Sequence, residues 1–527
     1  MDQNSSSYFS KDNVLIIIFY FLFAIVLSPY HKYSLDLTDT FQYLVIAENY
    51  SKGNFSDAIN SYWSPLFSWI LAILIKLGIE PFTAIQILQI FIGSISLLGV
   101  LKLIPFKNEN RSMFLLLHFS FLILILSFAL LVATPDLLLL TITIWYLVFI
   151  SRKEYYLNNT YSFLLFGVMG ALLYFAKGAG FFVFLLSFTL INCLFFFRKD
   201  STRTKIASKY LSTLLVFFVL SSCWIFIISK KENKFLISSA AEYNFKLIGP
   251  SSNPYVLDEI VQPPERIGLI TPPKNSLSAW EQPHKMIVEK WSPLHSRGNF
   301  IHYIKIILKN LWSIQSFYFG LDAGTILILG LFVVWINKGI EIKKIVDKNN
   351  PAIIVSIACT IPYIFLLVMD RYIWVNTITI GILAVSVFTA LTTINKKISI
   401  LFFLLFICAI GYKPLKGLLN FNNQYISMFQ DKEKFQGYIS GNVASLVTND
   451  EKKEENYAKS TMLSYLSDNK YYGMIKVPEQ SNIVVNQLKK YNIKYLLSWN
   501  KSSQIPDSIY SENIFFRKSR VTVYKLK

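Results

Sequence analysis

Charge is what this chain has least of. Asp, Glu, Lys and Arg make up 16% of its 527 residues, against about 25% in ordinary soluble domains. That shortage excludes a soluble enzyme, and the 53% hydrophobic content excludes a disordered chain. Cysteine is scarce too. Cys193, Cys223, Cys359 and Cys408 each sit inside an apolar run without a Cys-x-x-Cys neighbour, so neither a disulfide framework nor a zinc site is supported. The histidines match no metal spacing: His31 ends an apolar run, and His284 and His295 read as solvated or capping residues of a polar loop. There is no Gly-x-Ser-x-Gly elbow, Walker loop or dinucleotide fingerprint. Acidic residues are the rarer sign, 32 against 51 basic. Loop charge that orients membrane spans, together with anionic lipid, accounts for the excess, and with no nucleic-acid motif present the reading excludes nucleic acid as a partner.

Long apolar runs are what the chain has in abundance, and its mean hydropathy is +0.44. A crossing needs about 20 apolar residues, or about 17 at the short end. Eleven runs qualify: 13–30, 83–104, 112–131, 136–151, 160–176, 179–197, 209–229, 318–337, 351–369, 372–394 and 398–413. The first, preceded by a single basic residue and followed by no cleavage site, reads as a retained span. The segment Trp63–Gly78 is a twelfth candidate. Five basic clusters (Lys102 to Arg111, Arg152-Lys153, Arg198 to Lys209, Lys338 to Lys348, Lys396-Lys397) all fall on the cytoplasmic side if eleven runs cross and Trp63–Gly78 does not. The N-terminus is then inside and the C-terminus outside. Trp63–Gly78 becomes an interfacial or half-inserted helix opened by Ser64-Pro65.

Three polar segments fall outside: 31–82, a proline-rich loop over 230–317, and 414–527. In the last, strand-like runs (483–485, 495–499, 521–524) alternate with helical stretches (459–466, 485–491), the pattern of a small α/β domain. The expectation is a helical membrane domain over 1–413 and an exoplasmic α/β domain over 414–527.

Candidate chemistry gathers on the outer side. Tyr43, Ile46, Ala47 and Tyr50 recur at helical spacing, one apolar face of a surface helix. Asp39 at its start reads either as an N-cap with Gln42 as partner or as a general base. Thr134-Pro135-Asp136 reads either as ordinary helix-start chemistry or as a second functional acid. Asp36, Asp39 and Asp136 share one side, where they could hold a divalent metal ion, with Asp39 and Asp136 as its ligands, or divide base and orienting roles. Lys177, in Ala176-Lys177-Gly178, and Arg371, in Asp370-Arg371-Tyr372, run against the positive-inside tendency. Each has a bland reading, a snorkelling lysine and a local pair with Asp370. Each also has a functional one, contact with a lipid phosphate.

In order, spacing and sidedness these residues resemble the membrane glycosyltransferases of the GT-C fold, in particular the bacterial branch holding aminoarabinose transferases and protein O-mannosyltransferases. The resemblance rests on Asp39, Tyr43, Ile46-Ala47 and Gly53, then Tyr62-Trp63-Ser64-Pro65-Leu66, Pro135-Asp136, Ala176-Lys177-Gly178 and Arg371-Tyr372, and covers roughly 10–395. The chain departs from the pattern in having one proline at Ser64-Pro65 and threonines beside Asp39. The resemblance implies an all-α polytopic membrane protein of about eleven spans plus interfacial helices. It implies a bacterial inner-membrane enzyme that moves a sugar from a polyprenyl-phosphate donor, with inversion, to an envelope lipid, glycan or protein. Asp39 would take the acceptor proton, assisted by Asp136 and Asp36, while Lys177, Arg371 and Tyr372 would meet the donor phosphate. A lipid or glycan transporter and a non-catalytic assembly protein are the rival readings. The near absence of charge from the middles of the runs weighs against the transporter.

Overall fold

The computed structural model describes residues 11–32, 37–105, 110–197, 202–250, 267–286, 290–319, 322–421, 425–447, 453–476, 481–499 and 509–527. The chain divides into two compact units. One comprises Met1–Pro29, Gln86–Asn244 and Trp291–Asn420, and the other Tyr30–Ile85, Phe245–Lys290 and Phe421–Lys527.

The first unit is helical, as uniformly apolar runs demand when no water is present to satisfy the backbone. Among the described residues of the chain, seven helices are long and apolar enough to cross a membrane: Lys11–His31, Pro81–Leu103, Arg111–Leu131, Gly180–Phe197, Arg203–Glu232, Asp370–Thr392 and Lys396–Leu419. The number is eight if Arg297–Phe319 and Ala323–Gly339 form one bent span. Asp136–Ile150 and Ser162–Ala176 are shorter apolar helices. The protein is a multi-pass membrane protein. The runs 318–337 and 351–369 fall largely in a single helix, Ala323–Ile364, broken at Lys338 where the backbone leaves helical geometry (φ −149°, ψ 67°). Close packing relies on small residues. A Cβ at Gly167 would come within 2.6 Å of Val216 and 2.9 Å of the Thr213 carbonyl, so glycine lets Ser162–Ala176 lie against Arg203–Glu232.

The second unit contains a six-stranded mixed sheet: β1 (Gly268–Leu269), β2 (Asn442–Val447), β3 (Tyr471–Lys476), β4 (Ile493–Ser498), β5 (Tyr510–Phe516) and β6 (Val521–Leu526), in the order β1-β3-β2-β4-β6-β5. β2 pairs in parallel with β3 and β4; the other pairings are antiparallel. Parallel neighbours need crossovers, supplied by helices Lys453–Leu466 and Ser481–Lys490. Ile483-Val484-Val485, expected as a strand, lies in the second of these. Val484 and Leu488 stand four apart, the helical interval, and the crossover from β3 to β4 requires a helix there. The sheet draws on more than 414–527. Gly268 and Leu269 of the proline-rich loop pair with Met474 and Gly473, and the helix Leu37–Ser51 packs on Lys453–Leu466 through Phe41 against Tyr465 and a Tyr465 to Glu48 hydrogen bond. Residues from all three polar segments thus build one unit.

Candidate active-site residues

In the first unit Asp136 opens the helix Asp136–Ile150. The turn before it is fixed by Gln89, whose amide donates to the carbonyls of Val132 (3.0 Å) and Thr134 (2.9 Å). Asp136 is 4% exposed, a depth at which a carboxylate must be hydrogen-bonded and charge-compensated. Both its oxygens are engaged. Lys177 Nζ donates to Oδ1 at 2.5 Å, and the Thr134 hydroxyl donates to Oδ2 at 2.7 Å. Arg371 Nε stands 3.7 Å from Oδ2, an ion pair beyond hydrogen-bonding distance. Among these three charged groups there is one more positive charge than negative.

Lys177 caps the helix Ser162–Ala176 in extended conformation. Its ammonium lies 3.6 Å from the centre of the Tyr372 ring and 5.7 Å from that of Tyr363, and the two rings stack at 4.7 Å. Arg371 and Tyr372 sit on the 3-10 turn Asp370–Ile373, which Tyr318 pins by donating to the Ile373 carbonyl at 2.8 Å. Three of the expected residues from separate runs, Asp136, Lys177 and Arg371, therefore meet, with Tyr372 beside them. Tyr363 is an addition that nothing in Ile361-Pro362-Tyr363 announced.

In the second unit Asp39 is the third residue of the helix Leu37–Ser51. It does not precede the helix, and Gln42 donates instead to the Ser278 hydroxyl (3.4 Å). The N-cap reading of Asp39 fails for that reason. Asp39 Oδ1 accepts from the Trp280 indole N–H at 3.3 Å. Trp280 belongs to a loop clasp closed by a capping box, in which Ser278 and Glu281 satisfy each other's backbone and side chain. The clasp grips the aromatic turn of the resemblance. Asn60 donates to the Glu281 carbonyl (2.6 Å), Trp63 Nε1 to the Trp280 carbonyl (3.1 Å), and the Trp63 ring meets Tyr43, Tyr62 and Trp280 edge-on. His284 shares a hydrogen bond with Ser61 at 3.2 Å. Burial pushes the Glu281 carboxyl up to about 7, against the opposing pull of the hydrogen bonds it accepts from Ser278 and Leu277. The residues missed from sequence are Ser278, Trp280 and Glu281. The Ser-x-x-Glu spacing was a readable sign of a capped turn, but not of its hold on Asp39.

Asp36 lies outside the described residues. Among those described, no three His, Cys, Asp or Glu side chains come together as a cation's ligand set. Asp136 is already taken by an ammonium and a hydroxyl with a guanidinium close by, and a divalent ion there would be repelled by both cations. The surroundings of Asp136 do not fit a metal ion.

No family model and no curated protein matches the chain. Solved structures are similar to it. ArnT from Cupriavidus metallidurans bound to undecaprenyl phosphate is 10% identical, with a TM-score of 0.50 over 97% of this chain and 97% of that one. The same protein in the apo state is 11% identical, with a TM-score of 0.48 over 96% of this chain and 97% of that one. The archaeal oligosaccharyltransferase AglB from Archaeoglobus fulgidus, in complex with an inhibitory peptide and a dolichol-phosphate, is 11% identical, with a TM-score of 0.48 over 92% of this chain and 69% of that one. At such identity it is architecture that is shared: this chain has the GT-C fold, seen in ArnT bound to undecaprenyl phosphate over nearly its whole length.

Proposed function

We propose that the protein is an inverting glycosyltransferase that moves a sugar from a polyprenyl-phosphate donor to an envelope acceptor at the periplasmic face of a bacterial inner membrane. In this reading the N-terminus is cytoplasmic and residues 414–527 are periplasmic. The observation that carries it is the trio of buried Asp136, buried Arg371 and half-buried Lys177, two cations turned on one carboxylate. An excess of positive charge around a buried carboxylate is suited to an anion, and a lipid phosphate is the anion that a membrane-embedded site would meet. Lys177 acts as a point charge, held in place by Asp136 and the Tyr372 ring, and Arg371 offers its fork.

Asp39 takes the proton of the acceptor hydroxyl as that oxygen attacks the anomeric carbon. The bond from that carbon to the phosphate oxygen breaks on the opposite side, and the phosphate leaves as an anion stabilised by Lys177 and Arg371. The Trp280 indole, donating to Oδ1, fixes the carboxylate's orientation. Transfer in detergent is the test, because no gradient exists there. Sugar passing from a polyprenyl-phosphate donor to an envelope extract supports the enzyme. Protein that binds the donor but never transfers, while moving it across vesicles, is a transporter.

A further inference from the structure

The first unit holds a cavity of about 350 Å³ that the proposed chemistry does not use, inside the range of small-molecule sites, roughly 300–1,000 Å³. One wall is a single face of the helix Arg111–Leu131: Leu124, Ser127, Phe128 and Leu131 recur at i, i+3, i+4 and i+7. At 1.5 Å per residue that face is about 10 Å deep. Ile380 and Ile410, from two other helices, add to the cavity's apolar lining.

The other end is charged. Asp322, Asp370 and Lys413 line it, with Asp322 paired to Lys413, so the rim carries one more negative charge than positive. Ser127 and Thr377 also line the cavity. Asp370 and Arg371 are consecutive on one 3-10 turn yet serve different places, Asp370 lining the cavity while Arg371 turns to Asp136. The cavity therefore lies one residue away from the cationic trio and has the opposite sign.

A site that combines apolar walls with carboxylates and hydroxyls fits an amphiphile. The excess negative charge disfavours a phosphate head, which would meet two carboxylates and one lysine already claimed by one of them. Hydroxyl groups suit it, since carboxylates and the Ser127 and Thr377 hydroxyls accept from them. We propose that this cavity binds a lipid whose head is uncharged and hydroxyl-bearing. Resting on the function proposed above, this makes such a lipid the acceptor, its hydroxyl held beside the leaving phosphate.

Photo-crosslinking of the full-length protein in nanodiscs tests it. The probes are a diazirine-tailed diacylglycerol and a phosphatidic acid with identical tails, differing only in the phosphate. Diacylglycerol should label the peptides spanning 124–131 and 374–380 at least ten-fold more than phosphatidic acid. Filling the cavity by Thr377→Phe, or from another helix by Ala409→Phe, should cut that labelling at least ten-fold while binding of undecaprenyl phosphate persists. Two variants on different helices, each checked by size-exclusion elution, guard against one that fails to fold. Equal labelling by the two probes, preference for phosphatidic acid, or labelling undiminished by both fillings overturns the proposal. Sugar transfer is scored separately. Diacylglycerol labelling without any transfer sinks the enzyme reading and leaves the cavity standing, whereas transfer without labelling does the reverse.

Discussion

Two aspartates of this protein, one in each unit, live under opposite rules. Asp136 is nearly sealed from solvent and is held between an ammonium and a guanidinium. Asp39 is half-buried, and the indole that donates to it is neutral. A carboxylate locked in a buried ion pair is poorly placed to accept a proton, because protonation would strand two cations in a low-dielectric setting. The Trp280 indole orients the Asp39 carboxylate through a neutral hydrogen bond. The same side chain is thus an electrostatic anchor in one unit and a candidate base in the other.

The contrast is broken most directly at Asp39. Asp39→Asn keeps the size of the side chain and removes the base. Sugar transfer should fall by about 10² to 10⁴-fold, the usual worth of a general base, with the thermal unfolding midpoint unchanged. If the Asp39→Asn protein turns over normally while transfer is real, Asp39 is not the base.

Asp136 should answer in the other currency. Asp136→Ala leaves buried Arg371 and half-buried Lys177 without their shared carboxylate, and breaking a buried pair costs about 3–5 kcal/mol. The expected outcome is a lower melting temperature and a poor yield of folded protein, and the double variant Asp136→Ala with Lys177→Met should recover part of the loss. A single variant as stable as the parent removes the anchor role.

Glu281 sharpens the comparison through pH, in the loop that grips Asp39. Its carboxyl rises from an ordinary 4.5 to about 7 in the folded protein. The folded state then binds more protons than the unfolded one between those values, so stability falls as pH climbs from 4.5 through 7. At 1.36 kcal/mol per unit the whole swing is on the order of 3 kcal/mol. Melting temperatures from about pH 5 to 8 should decline more steeply for the parent than for Glu281→Gln. Parallel slopes would place the carboxyl in the ordinary range.

Much of this was legible in the sequence, and the reasons differ by region. The helices announced themselves because membrane spans are continuous apolar runs, and all eleven expected runs are found in helices, two of them largely in a single broken one. Asp136, Lys177 and Arg371 were legible because each is a polar residue stranded at the end of such a run, where chance seldom puts one. The sheet was harder. β2, Asn442–Val447, is buried on both faces after its first residue, so it lacks the alternation that betrays a half-exposed strand. The clasp at Ser278–Glu281 and the position of Tyr363 were hidden for a different reason: both depend on contacts between segments far apart in the chain, which no local spacing encodes.

Tyr372 offers the smallest effect and the finest test of the trio, because the resemblance puts Tyr372 at the donor phosphate while the structure presents its ring face to Lys177. An ammonium 3.6 Å from a ring centre gains about 0.5–2 kcal/mol, and the gain belongs to the π face, not to the hydroxyl. Tyr372→Phe should therefore bind undecaprenyl phosphate like the parent, whereas Tyr372→Leu should weaken binding by roughly 2- to 30-fold as Lys177 loses its platform. The order reverses if the phenol itself meets the phosphate: Phe would then lose affinity almost as fully as Leu. Titrating the three proteins with undecaprenyl phosphate decides between a tyrosine that touches the lipid and one that holds the lysine which does.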